Sequence, residues 1–94
     1  MKITDVRTAV IRGNFEWMLV RVYTDDGIIG LGEAYWGAGV KDIIHNMRGM
    51  LLGQNPMNVD VLHQRMMRSM AGAGSIAGAT VTAISGVEIA LWDI

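Results

Sequence analysis

The sequence has no cysteine, which removes disulfide scaffolds, thiolate metal sites and cysteine nucleophiles together. Without such staples, a chain of 94 residues buries only ~60–65% of its unfolded surface, so apolar side chains alone must hold the core. Neither charge is in excess. Eight Lys+Arg against nine Asp+Glu, a net charge of −1, leave no cationic patch to displace counterions, and nucleic acid is not an expected partner. The start, Met1-Lys2-Ile3-Thr4-Asp5, lacks the apolar stretch of a secretory leader, so the expected location is cytoplasmic. The uncharged run between Arg68 and Glu88 approaches the ~20 residues of a membrane span. Ser69, Ser75, Thr80, Thr82 and Ser85, with Gly72, Gly74, Gly78 and Gly86, dilute its hydropathy. It reads instead as a glycine-rich loop entering a helix, with no membrane partner.

What is present, 51% hydrophobic and 18% charged residues, describes one small α+β domain over residues 1–94. The apolar period changes from two to helical near Val40. Residues 2–12 are rich in Val, Ile and Thr, and residues 17–24 place Met18, Val20 and Val22 on one face with Arg21 and Tyr23 on the other. Asp25-Asp26-Gly27 is a hairpin signal, because Asp-Gly supplies the positive φ of a tight turn. Residues 28–36 then return antiparallel, completing a three-stranded meander.

Val40, Ile43, Ile44, Met47 and Leu51 recur at helical spacing and predict a first helix, stopped by Gly53. Asn55-Pro56 reads as an N-cap with proline at the first helical position, opening a second helix marked by Val59, Leu62, Met66 and Met70. The Gly/Ala/Ser stretch 71–79 breaks it. A third helix from about Thr80 carries Val81, Ile84, Val87, Ala90, Leu91, Trp92 and Ile94, apolar on more than one side. It lacks a terminating Gly, Asn or Pro, so it is expected to need a missing portion of a larger protein, or a partner chain, to cover it.

Few residues suggest chemistry. Gly37-Ala38-Gly39 follows a strand and opens a helix, but the third glycine of a dinucleotide fingerprint is missing and the preceding strand is antiparallel, so a plain connection is expected. Gly72-Ala73-Gly74-Ser75-Ile76-Ala77 fits G-x-G-x-x-A yet follows a helix, and fails the same test. His45 and His63 lack a ligand pattern and read as surface or helix-packing residues. The methionines 47, 50, 66, 67 and 70 read as flexible core filler. Glu33 ends the third strand; without a local acid partner or second metal ligand, it reads as a structural acceptor for backbone N–H. The aromatics are more pointed. In a meander the first connection and the exit of the third strand share one end of the sheet, which gathers Phe15, Trp17, Tyr35 and Trp36. Such a rim either packs over a ligand or partner or covers the end of a small core.

Three ordered motifs resemble one family. Residues 19–34, LVRVYTDDGIIGLGEA, are similar to the hairpin of the mandelate racemase and muconate lactonizing enzyme group of the enolase superfamily. Residues 51–56, LLGQNP, resemble its link between helices, and residues 83–94, AISGVEIALWDI, its "A-L-W-D" helix. The resemblance implies an N-terminal α+β capping domain, a three-stranded antiparallel meander followed by a three-helix bundle, truncated before a TIM-type barrel. It further implies a magnesium-dependent parent enzyme in which the barrel, absent here, supplies the Mg2+ ligands and the bases that remove a proton α to a carboxylate. No catalytic residue and no metal ligand is then expected in this chain. The capping loops carry over as residues 13–17 and 35–39, with Asn14, Phe15, Glu16, Trp17, Tyr35 and Trp36 as substrate-binding candidates. The closest flavour is acid-sugar dehydratases of the galactonate type, and a short first loop with polar contacts suits a polyol acid. The implied partners are a sugar-acid substrate, the barrel domain and further copies of the chain in a homo-oligomer. A racemase or cycloisomerase of the same superfamily, or a non-catalytic ligand-binding or oligomerisation module, are the alternatives.

Overall fold

Alternation builds a sheet with one buried face. In the computed structural model, β1 (Ile3–Arg12), β2 (Glu16–Thr24) and β3 (Ile29–Tyr35) pair antiparallel in the order β1-β2-β3. The structure describes residues 1–35, 37, 39–71 and 78–94, the side chains of Met70 and Ala71 excepted. Ile3, Val6, Met18, Val20, Val22 and Ala34 face inward and are buried. Arg21, Leu31, Glu33 and Tyr35 face outward and are exposed, as the period of two requires. The β2–β3 turn closes through Asp25-Asp26-Gly27: Gly27 N donates to the Thr24 carbonyl at 3.3 Å, and Gly27 takes φ 79°, a conformation glycine adopts without a Cβ penalty.

Of three helices, α1 (Val40–Leu51), α2 (Val59–Ala71) and α3 (Ala79–Asp93), the first and third cover the inner face and α2 packs against them. Val40, Ile44, Met47 and Leu51 of α1, and Val59, Leu62 and Met66 of α2, are buried, following the helical spacing. Gly39, with φ 82°, precedes α1 without a side-chain cap; Ala38, within the first glycine motif, lies outside the described residues. The start of α2 departs from expectation. Asn55 Oδ1 accepts from Met57 N at 3.0 Å and its carbonyl accepts from Asn58 N at 3.1 Å, so Asn55-Pro56 makes an Asx turn rather than a cap. The first helical bond of α2 instead runs from Leu62 N to the Asn58 carbonyl, at 3.0 Å. The second glycine motif, at 72–77, and the break expected there lie outside the described residues.

The third helix needs less cover than its composition suggests. Ala83, Ile84, Val87, Ala90 and Leu91 are all buried within the chain, because α3 crosses β3 nearly backbone to backbone. A Cβ on Gly32 would meet Ala90 N at 2.7 Å and the Gly86 carbonyl oxygen closer still, and a Cβ on Gly86 would meet the Ala34 Cβ at 2.6 Å. Glycine on both surfaces lets the helix sink onto the strand, where it also reaches β2, α1 and α2. Only Ile89 and Trp92, at 50% and 69% exposure, remain as large exposed apolar residues of α3. The expectation that several of its faces need another molecule is therefore corrected.

Polar contacts lock the ends. The Asp5 carboxylate accepts from Arg7 Nε and Arg48 Nε, both at 2.7 Å, joining β1 to α1, and these two guanidinium groups hold its pKa down to about 2. His63 Nδ1 lies 2.6 Å from Glu88 Oε2, so His63 packs α2 against α3. His45 Nε2 lies 3.3 Å from Thr8 Oγ1. Ile3 exchanges backbone bonds with Gly53 and Gln54 at 2.8 Å each, and Leu31 N on the free edge of β3 donates to Asp93 Oδ2 at 2.8 Å. No described helix is long and apolar enough to cross a membrane.

Candidate functional site

The register of the sheet builds the site. Trp17 pairs with Tyr35 across β2 and β3, Leu19 with Glu33, and Arg12 with Glu16 across β1 and β2. Trp17, Glu33 and Tyr35 thus share the outward face at the end where β1 turns into β2 and β3 leaves the sheet. The turn between β1 and β2 is only Gly13-Asn14-Phe15, closed by a 2.9 Å bond from Gly13 N to the Phe15 carbonyl. Glu16 and Trp17, expected in the loop, are the first residues of β2. The Phe15 ring stands edge-on to Trp17, centroids 6.2 Å apart at 62°.

Between these elements lies an open cavity of about 490 Å³ lined by Phe15, Glu16, Trp17, Glu33, Ala34 and Tyr35. Of the six candidates, the structure brings Phe15, Glu16, Trp17 and Tyr35 together. Asn14 is exposed in the turn without lining the cavity, and Trp36 lies outside the described residues. Phe15 and Tyr35 are 72% and 78% exposed, so they do not close a core. Large aromatic rings held this far into solvent on rigid strand ends suit contact with a ligand or a second surface.

Glu33 is the residue that sequence reasoning undervalued. Expected to satisfy backbone N–H groups, it has no hydrogen-bond or ion-pair partner among the described residues and lines the cavity instead. The signal was in the register: two residues before Tyr35, it shares that residue's face. Glu16, by contrast, is engaged by Arg12, Nε to Oε1 at 3.7 Å. Among the described residues no three His, Asp or Glu side chains converge as a metal site.

Comparison with known proteins bears on the family and the fold. Residues 4–94 match the model of the mandelate racemase / muconate lactonizing enzyme N-terminal domain. The chain is 50% identical over 93 residues to a D-xylonate dehydratase of Haloferax volcanii, covering 99% of this chain and 23% of that protein. It is 39% identical over 99 residues to a D-galactonate dehydratase of Verminephrobacter eiseniae, covering 100% of this chain and 24% of that protein. It thus spans about a quarter of the length of these curated relatives. Among solved structures, a mandelate racemase/muconate lactonizing enzyme-like protein from Rubrobacter xylanophilus superposes with a TM-score of 0.89 at 45% identity, over 98% of this chain and 24% of that one. The 3,6-anhydro-D-galactonate cycloisomerase from Zobellia galactanivorans gives 0.90 at 33% identity, over 99% and 28%. With three antiparallel strands, three helices and a match over nearly its whole length, the chain belongs to the mandelate racemase/muconate lactonizing enzyme N-terminal domain family of the enolase superfamily.

Proposed function

We propose that residues 1–94 form one capping domain of a sugar-acid dehydratase, closing the substrate site of a barrel domain that supplies the chemistry. The observation that carries this reading is the aromatic cavity at the loop end of the sheet, lined by Phe15, Trp17 and Tyr35, in a chain half identical to the matching part of a D-xylonate dehydratase. Aromatic faces pack on the C–H surfaces of a polyol, while carboxylates and backbone groups accept its hydroxyl protons. The reaction removes the proton α to the substrate carboxylate and expels the β-hydroxyl as water. On this reading the base and the Mg2+ ligands of the parent enzyme would both lie in the barrel domain, outside this chain. The role left to Phe15, Glu16, Trp17 and Tyr35, with Asn14 and Trp36 at the flanks, is to orient the substrate and exclude water.

The test is kinetic. The 94-residue chain alone should not turn over any sugar acid. In the full-length enzyme, Trp17→Ala or Tyr35→Ala should raise KM or change substrate preference while leaving metal affinity unchanged. Turnover by the isolated chain, or an equal loss of metal affinity in those variants, would overturn the reading. A second reading, cycloisomerisation, is favoured by the Zobellia galactanivorans relative; product analysis separates a dehydrated keto acid from an isomer of unchanged mass. Sedimentation of the full-length enzyme tests the expected homo-oligomer.

A further inference from the structure

We infer that Gly13 is a positioning residue for the Trp17 indole: the turn between β1 and β2 holds that ring in place before a substrate arrives, and the bare Cα of Gly13 is what lets the ring settle. The inference rests on the sugar-acid reading above and adds to it the residue that presets one wall of the cavity. Gly13 takes no positive φ, so its backbone conformation does not call for glycine. Its surroundings do. A Cβ at Gly13 would meet Trp17 Cζ3 at 3.4 Å and Cη2 at 4.0 Å, so the benzo edge of the indole lies against the backbone of the turn. The Phe15 ring stands edge-on to the same indole, centroids 6.2 Å apart, and the 2.9 Å bond from Gly13 N to the Phe15 carbonyl ties the two flanks of the turn together. On the sheet, Trp17 has Ile11 of β1 and Tyr35 of β3 as register neighbours. Trp17 is 42% exposed, against 72% for Phe15 and 78% for Tyr35, which makes it the most enclosed of the three aromatic rings that line the cavity.

An indole at a strand end turns about two side-chain torsions, and a ligand that needs it in one rotamer must supply the free energy of ordering it. Immobilising one such side chain is worth roughly a two- to ten-fold change in affinity. Here the ordering is done in the free domain, by the turn. A side chain of more than one carbon at position 13 would compete with the benzo edge for the space over the turn, and the indole would spread into other rotamers. Packing of Trp17 on the C–H surface of a polyol is the same in the bound substrate and in the transition state. Its loss therefore falls on KM and spares kcat.

The experiment measures KM and kcat for D-xylonate and D-galactonate in the full-length enzyme, as wild type, Gly13→Val, Trp17→Ala and the double variant, with thermal melts to establish folding. Gly13→Val should raise KM about five-fold for the acid turned over, leave kcat unchanged, and add nothing further in the Trp17→Ala background. A glycine that serves only the stability of the turn would change KM by the same factor in both backgrounds, or not at all. Either result overturns the inference while the dehydratase reading stands. Gly13→Leu, free of β-branching beside the turn, carries the same cycle if Gly13→Val does not fold. If Trp17→Ala itself leaves KM and substrate preference unchanged, or if wild type dehydrates neither acid, the reading of the cavity falls and takes the inference with it.

Discussion

Replacing Gly32 by alanine adds a single methyl group to a strand, where alanine is intrinsically no worse than glycine, so any loss of stability must come from what the methyl meets. It meets backbone: Ala90 N at 2.7 Å, and the Gly86 carbonyl oxygen nearer still. Carbon needs ~3.5 Å from such atoms, so α3 must withdraw by about 1 Å, and a gap of that size forfeits a quarter to a half of the dispersion well for each contact it opens. The contacts at risk are those of Ala83, Val87, Ala90 and Leu91, all buried. Overpacking of this kind costs ~1–3 kcal/mol, and more where rigid backbone rather than a side chain must give; we expect about 3 kcal/mol. For a domain of this size that lowers Tm by roughly 12–24 °C. Circular dichroism melts and urea unfolding measure it. Gly49→Ala is the control, since a Cβ there meets nothing within 4 Å on α1, and the same change should stabilise by ~0.5–1 kcal/mol. If Gly32→Ala melts within 2 °C (about 0.5 kcal/mol) of wild type, the close approach of α3 to β3 is not what the glycines are for.

Three further outcomes are expected. Asp5 is more acidic folded, at about 2, than its ordinary 3.8, so its stabilisation is complete above pH ~4 and disappears as pH falls through 2; the Tm difference between wild type and Asp5→Asn should be largest near neutrality and close over that window. Gly27→Val forces a β-branched residue to φ 79° and should cost ~1 kcal/mol or more in urea unfolding, without change of fold. A double-mutant cycle on His63 and Glu88, partly exposed at 43% and 27%, should return a coupling of about 0.5–1 kcal/mol; a value near zero would mean that the pair does not hold α2 to α3.

The hairpin was legible because Asp25-Asp26-Gly27 carries its own turn chemistry, and once that turn is set, topology alone brings Phe15, Trp17 and Tyr35 to one end. The first helix was legible because Val40, Ile44, Met47 and Leu51 repeat at one period and are all buried. The start of α2 was not, since an asparagine before a proline serves equally as a cap or an Asx turn, and the choice depends on whether Met57 or the next turn supplies the N–H. The burial of α3 was hidden for a different reason. Gly30 and Gly32 lie far from Gly86 in sequence, and their joint use becomes visible only when helix and strand are packed together. Glu33 was misread because backbone acceptors are common for a carboxylate at a strand end, whereas its register with Leu19 turns it outward.

The bonds from Ile3 to Gly53 and Gln54, and from Leu31 to Asp93, have a bearing on solubility. A three-stranded sheet has two open margins, each a row of unpaired amides that can recruit a strand from another molecule and start an aggregate. Here each margin is plugged at one point by a neighbour already fixed in the fold: the link after α1 on the β1 side, the last carboxylate of α3 on the β3 side. An invading strand could not run in register along either margin without first displacing a residue that the rest of the domain holds in place. The β3 plug depends on a docked α3, so partial unfolding that releases the helix would uncover that sheet margin and exposed core at the same moment.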